Sequence, residues 1–163
     1  MRRFALLLAA SALCGCSSLL DVAPPSSTTG PNDPSKQMSA SIDGVFWFAQ
    51  VVSVSQSAST IKFTGVLNLG QASERSIILQ FQTGATGTQT FGNEGGVYAQ
   101  VGVGNSNLNT WATKAAGPTG TVTLTTATIN HFVGTFSFDA QSNFIDTNPF
   151  VRKVTAGVFD ITF

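Results

Sequence analysis

From residue 39 to the last residue, Phe163, no segment keeps a 3.6-residue apolar repeat long enough to build a helix. Short β-branched and aromatic runs broken by Gly, Asn and Ser clusters stand in its place, which is the pattern of an all-β chain. Residues 39–43 and 45–53 flank Asp43-Gly44, a pair suited to a two-residue hairpin because both central residues of that turn need positive φ. Ile61, Phe63, Gly65, Leu67 and Leu69 alternate with Lys62, Thr64, Val66 and Asn68, so one face of this run points inward. Ile77, Leu79 and Phe81 group in the same way within 76–82. Residues 87–91 form a short strand entering the turn Gly92-Asn93-Glu94-Gly95-Gly96, after which Val97, Ala99, Val101 and Val103 line one side of the next strand.

The C-terminal third is the most regular. Val122 and Leu124 alternate with Thr121, Thr123 and Thr125, which places the threonines outward in a row. Within 129–138, Phe132, Gly134, Phe136 and Phe138 share one side and His131, Val133, Thr135 and Ser137 the other. A loop is expected over 139–149. Residues 151–163 close the chain, with Phe159, Ile161 and Phe163 on one face and Gly157 marking a bulge. About nine or ten strands in this length suit an antiparallel β-sandwich, with a lipocalin-like up-and-down barrel as the alternative. Of the thirteen phenylalanines all but Phe4 lie beyond the first fifteen residues, and they supply large apolar side chains for a core.

The N-terminus has a different character. Met1-Arg2-Arg3 is positive, 4–13 is apolar, and a small residue, Gly15, precedes Cys16, the layout of an export signal. The apolar run is shorter than the roughly 20 residues a membrane-spanning helix needs. Leu13-Cys14-Gly15-Cys16 resembles the lipobox of bacterial lipoproteins. That resemblance implies cleavage before Cys16, a diacylglycerol on its thiol and an acyl chain on its amine, and several chains anchor a protein far better than one. Cys14 fits less well, because Leu13 would stand where a small side chain is wanted. The alternative is an ordinary secretory signal that happens to hold two cysteines. Both cysteines of the chain lie here, so cleavage leaves Cys16 alone and no disulfide can form. The expected organisation is a signal over 1–15, a lipidated cysteine and Pro/Ser/Thr-rich tether over 16–37, and one all-β domain over 38–163. Pro-rich segments are extended at about 3.1 Å per residue, so the tether would hold the domain away from the lipid. Ser17 follows the cysteine where an aspartate would retain the protein in an inner membrane. The lipoprotein resemblance therefore implies a cell-envelope location, the outer membrane if the host has two membranes.

Within the domain, Ser41-Ile42-Asp43-Gly44-x-x-Trp47-x-Ala49, Gly87-Thr88-x-x-Phe91, Gly120-Thr121-Val122-Thr123-Leu124, Gly134-Thr135-Phe136-Ser137-Phe138 and Gly157-x-Phe159 stand at intervals. Together they resemble a family of uncharacterised bacterial lipoproteins common in Bacteroidetes-like hosts, over about residues 39–163. Trp111 stands where an aromatic of the Tyr type is more usual. The resemblance implies a lipid-anchored all-β domain with no catalytic residues to carry over.

Charge narrows the partners. Eight basic and eight acidic residues balance in the whole chain, and loss of Arg2 and Arg3 with the signal leaves six against eight. A slightly acidic domain lacks the basic face that nucleic acid or an anionic membrane surface requires. Charged residues make up only 10% of the chain, so Ser, Thr, Asn and Gln must cover the surface.

Catalytic candidates are sparse. His131 is the only histidine, any Ser-His-Asp arrangement would have to include it, and a solvated or strand-edge role is the expected one. No Gly-x-Ser-x-Gly elbow occurs. Asp139, Asn143 and Asp146 are a weak calcium candidate: the segment is rich in oxygen ligands, but Phe144 and Phe150 occupy the positions where an EF-hand loop has glycine and glutamate. Asp43, Glu74, Glu94 and Asp160 are the other carboxylates weighed, each beside a turn or strand end, and spacing alone does not pair any two for acid/base work. The row Thr121, Thr123, Thr125 suggests a flat surface for ice or glycan, although threonine is also simply a good solvent-facing strand residue. Trp47 and Trp111 are candidates for a sugar-stacking platform, although a tryptophan in an early strand more often joins the core. The expectation is a non-catalytic binding or structural lipoprotein, without cofactor, that meets the membrane through its lipid and an envelope protein or saccharide through its domain. The alternative is a lipocalin-like carrier whose phenylalanines line an interior pocket. An enzyme is disfavoured.

Overall fold

The computed structural model describes residues 36–92, 95–104, 109–117, 119–142 and 149–163, and every regular element among them is a β-strand. In chain order these are β1 (Lys36–Ile42), β2 (Val45–Phe48), β3 (Val51–Gln56), β4 (Thr60–Leu67), β5 (Arg75–Gln82), β6 (Gly87–Phe91), β7 (Tyr98–Val103), β8 (Thr110–Ala112), β9 (Gly120–Ala127), β10 (His131–Ser142) and β11 (Val151–Thr162). The antiparallel all-β class expected from the alternation forms as one sheet whose eleven strands curl through 260° into a half-barrel. Residues 1–35, with the expected signal, Cys16 and most of the expected tether, lie outside the described residues. β1 begins at Lys36, so Lys36 and Gln37, expected in the tether, belong to the sheet.

The path across the sheet runs β2-β1-β11-β10-β8-β7-β5-β4-β3. β10 is long enough to serve two neighbours on one edge: residues 132–138 pair with β9, and Gln141 and Ser142 pair with β8. β6 extends the sheet beyond β9. The two ends of the path, β2 and β3, are consecutive in the chain. Between them the Ala49 N–H donates to the Met38 carbonyl of β1 at 2.8 Å, and the Gln50 N–H donates to the Val66 carbonyl of β4 at 2.9 Å. One bent segment thus passes from one end of the sheet to the other across the opening.

The β1–β2 turn follows the Asp43-Gly44 signal. Both residues have positive φ, 52° and 84°, and Ile42 faces Val45 across the ladder, as a type I′ turn requires. Asp43 also docks the hairpin onto β11. Its Oδ1 accepts from the Lys153 N–H at 2.8 Å, and its Oδ2 lies 2.5 Å from Arg152 Nη1. The Arg152 guanidinium in turn sits 4.5 Å above the Trp111 ring.

β11 carries the bulge expected near Gly157. Its registers with β10 and with β1 both slip by one residue there, and Ala156 takes φ 51°. Seen from either neighbour, the extra residue belongs to β11.

The alternating residues fill the concave interior. Phe63, Phe81, Phe132 and Phe159 are almost wholly buried and pack ring against ring with centroids 5.3–6.1 Å apart. Aromatic pairs in such edge and offset geometries add about 0.5–1.5 kcal/mol each beyond area burial. Phe163 is 39% exposed, yet its ring stacks on Phe132 at 6.1 Å and its N–H donates to the Asn130 carbonyl, so the chain end is pinned to the sheet.

Candidate functional site

Trp47 and Trp111 are both core residues, 1% and 3% exposed. Each indole N–H has a backbone acceptor: Trp47 donates to the Arg75 carbonyl at 3.2 Å and Trp111 to the Pro149 carbonyl at 2.8 Å. Neither ring offers a surface platform. The exposed aromatic instead comes from the residue before Trp47. Alternation on β2 sends Trp47 inward and its neighbours outward, leaving Phe46 71% exposed and stacked on the half-buried Phe48 with centroids 6.2 Å apart. The period-2 alternation around Trp47 is the sequence signal for this pair.

Register carries that aromatic edge into the threonine row. Phe48 pairs with Ser39, Ser39 with Val158, Val158 with Thr135, Thr135 with Thr123 and Thr123 with Thr88. Paired residues in an antiparallel ladder point to the same side, so one continuous outward row crosses β2, β1, β11, β10, β9 and β6. Beside it Phe46 pairs with Ser41 and Ser41 with Thr155, while beyond the bulge Ser137 pairs with Thr121 and Thr121 with Thr90. On the other flank Gln37 pairs with Asp160 and Asp160 with Val133. Thr121, Thr123 and Thr125 do face outward. The Thr123 and Thr88 hydroxyls lie 2.9 Å apart, and the Thr125 hydroxyl donates to the Val133 carbonyl at 3.2 Å.

Among the described residues, two grooves that indent this outer face can be traced. The larger, about 290 Å³, is bordered by Gln37, Ser39, Val133, Thr135, Val158 and Asp160. The smaller, about 170 Å³, lies past the bulge against Ser137, Thr155, Asp139 and Lys153. The bulge at Ala156 separates them. Val133 and Val158 give the larger groove an apolar strip, and Gln37, Ser39, Thr135 and Asp160 supply amide, hydroxyl and carboxylate groups around it.

His131 meets this groove through Asp160, which borders it. Its Nε2 lies 2.8 Å from Asp160 Oδ1, with the His131 side chain 39% and the Asp160 side chain 60% exposed. His131 is the first residue of β10, paired with Thr162 of β11. The remaining described carboxylates each have a local setting. Glu74 Oε2 accepts from the Gly70 N–H at 2.6 Å in the β4–β5 connection, Asp43 holds the hairpin turn, and Asp139 lies in β10 opposite Lys153. Asp139 is thus a strand residue rather than part of a loop, since β10 runs on to Ser142. Asn143, Asp146 and Glu94 lie outside the described residues. Among the described residues no group of three or more His, Cys, Asp and Glu side chains is placed to hold a metal ion.

Residues 32–160 match a family model described as a domain of unknown function, DUF6252. The chain belongs to the DUF6252 family. The match spans every described strand except the last residues of β11, so the outer face and its grooves lie within the DUF6252 domain. Neither the curated proteins nor the solved structures gave a match to the chain.

Proposed function

We propose that this DUF6252 protein is a lipid-anchored cell-envelope binding module, non-catalytic, that engages its ligand through the outward face spanning β2, β1, β11, β10, β9 and β6. The observation that carries the reading is the registered row from Phe48 to Thr88, with a groove of about 290 Å³ along it. A hydroxyl-rich face edged by the exposed Phe46, stacked on Phe48, supports a contact role. The Leu13-Cys14-Gly15-Cys16 segment supports anchoring through Cys16.

The test is photo-crosslinking in intact cells. A benzophenone amino acid at Thr135 is expected to give an adduct that the same group at Lys62, on β4, does not. Equal labelling at the two positions would remove the assignment of the face. Mass spectrometry of the mature N-terminus checks the anchor: a lipid-modified Cys16 is expected, and a free amine and thiol there would refute it.

A further inference from the structure

We infer that the ligand of this face is a neutral saccharide chain, lying across the strands with a sugar ring against Phe46 and others along the groove beside Val158 and Thr135. The inference rests on the proposed binding role and names its ligand class. Chemistry selects it. Nucleic acids, acidic polysaccharides and anionic lipid surfaces need clustered cations, whereas none of the residues in the three registered rows is Lys or Arg, and Lys153 in the smaller groove stands opposite Asp139. Protein interfaces concentrate aromatic, Met and Arg side chains and are depleted in Ser, whereas Ser and Thr dominate here.

A sugar needs what these rows hold. Each hydroxyl of Ser39 and Thr135 brings one donor and two acceptor positions, and that of Thr123 the positions not shared with Thr88, which suits a ligand that is itself a string of hydroxyls. Gln37 adds an amide with both functions, and Asp160 adds an acceptor held in place by His131 at 2.8 Å. The C–H face of a pyranose needs an apolar partner, and an aromatic face with its negative quadrupole is a good one. The Phe46–Phe48 stack stands at one end of the rows, and Val133 and Val158 lie within the groove. Six strands at about 4.8 Å spacing make the row roughly 24 Å long, so it suits several linked sugars rather than one. Ligand sites typically combine an apolar lining with a few placed polar groups, and the larger groove has that make-up.

The test is affinity electrophoresis of the full chain, purified in detergent, through gels containing amylose, xylan, mannan or mixed-linkage β-glucan, with polygalacturonate as the anionic comparison. Retardation by at least one neutral polysaccharide is expected. Phe46→Ala should weaken it at least tenfold and Asp160→Asn severalfold, with cooperative melting retained because neither side chain belongs to the core. Leu69→Ala removes a comparably exposed apolar side chain away from this face and should leave retardation unchanged. No retardation by any neutral polysaccharide, retardation by polygalacturonate alone, or retardation indifferent to Phe46→Ala would each overturn the inference. If crosslinking at Thr135 then yields a protein adduct, the binding face survives with a different ligand. If it yields none above Lys62, both readings fall.

Discussion

Gly157 and Phe136 are fitted face to edge: a Cβ on Gly157 would come within 2.5 Å of the Phe136 ring. The two residues are paired across β10 and β11 at the point where the β11 register slips. The ring occupies the space a side chain would need, so the bulge and the aromatic packing are one feature. Gly157→Ala should force the ring off its position and lower stability by about 1–3 kcal/mol, the usual cost of overpacking. Chemical denaturation of the variant, read by the shift in midpoint at constant m-value, checks the figure.

Asp43 combines a conformational and an electrostatic role. Its φ of 52° favours Asn, Asp or Gly, its Oδ1 takes the Lys153 N–H, and its Oδ2 meets Arg152. Asp43→Asn keeps tolerance for positive φ and a carbonyl acceptor but loses the ion pair, which is partly solvated and worth about 0–1 kcal/mol. Asp43→Ala also loses the acceptor and strains the turn, so it should cost about 1–3 kcal/mol. Thermal melts of the two variants should therefore separate, with alanine the lower.

Gln89 on β6 does with its side chain what a backbone residue does elsewhere. Its Oε1 accepts from the Gln82 N–H at 2.8 Å and its Nε2 donates to the Gln82 carbonyl at 3.0 Å, tying β6 to the end of β5 where no ladder joins them. Gln89→Glu keeps the acceptor, removes the donor and sets a carboxylate against a carbonyl. A loss of about 0.5–1.5 kcal/mol is expected. Amide hydrogen exchange gives the direct readout: the Gln82 N–H should lose protection in Gln89→Ala and keep part of it in Gln89→Glu.

The alternation of β4, β5, β9 and β10 was legible because each of those strands has one face in the core, and period-2 patterning then fixes every side chain along it. Ile77, Leu79, Phe81, Phe132, Phe136 and Phe138 are buried as their spacing required. Other features depend on partners distant in sequence. Residues 45–53 look like one strand, yet the segment bends at Ala49-Gln50 because its first half pairs with β1 and its second with β4. Leu69 continues the apolar alternation of β4 but lies beyond its end. Asn68 turns the chain at φ 56°, and Leu69 is 62% exposed. β8, three residues long, exists only because β7 and the end of β10 flank it. The candidate face was half legible. Its threonines were visible as a row, whereas the register linking Thr123 to Ser39 and Phe48 runs through four ladders that no local pattern encodes.

Gly65 and Trp47 offer a test of how the opening of the half-barrel is filled. A Cβ on Gly65 would come 2.8 Å from Trp47 Cη2 and 2.9 Å from Met38 Sδ, so the indole extends over β4 at the one residue that leaves it room. Gly65→Ala alone should be destabilising by about 1–3 kcal/mol through overpacking. Trp47→Phe alone loses the indole N–H bond to the Arg75 carbonyl and part of the buried ring, at a cost of similar size. The pair should not be additive, because the smaller ring vacates the position that the new methyl group needs. Contacting residues couple by about 0.5–3 kcal/mol. The double variant is therefore expected to be more stable than the sum of the single losses predicts, by less than the full cost of Gly65→Ala because Met38 still crowds the site. Strict additivity in a denaturation double-mutant cycle would show that the indole does not fill the space above Gly65.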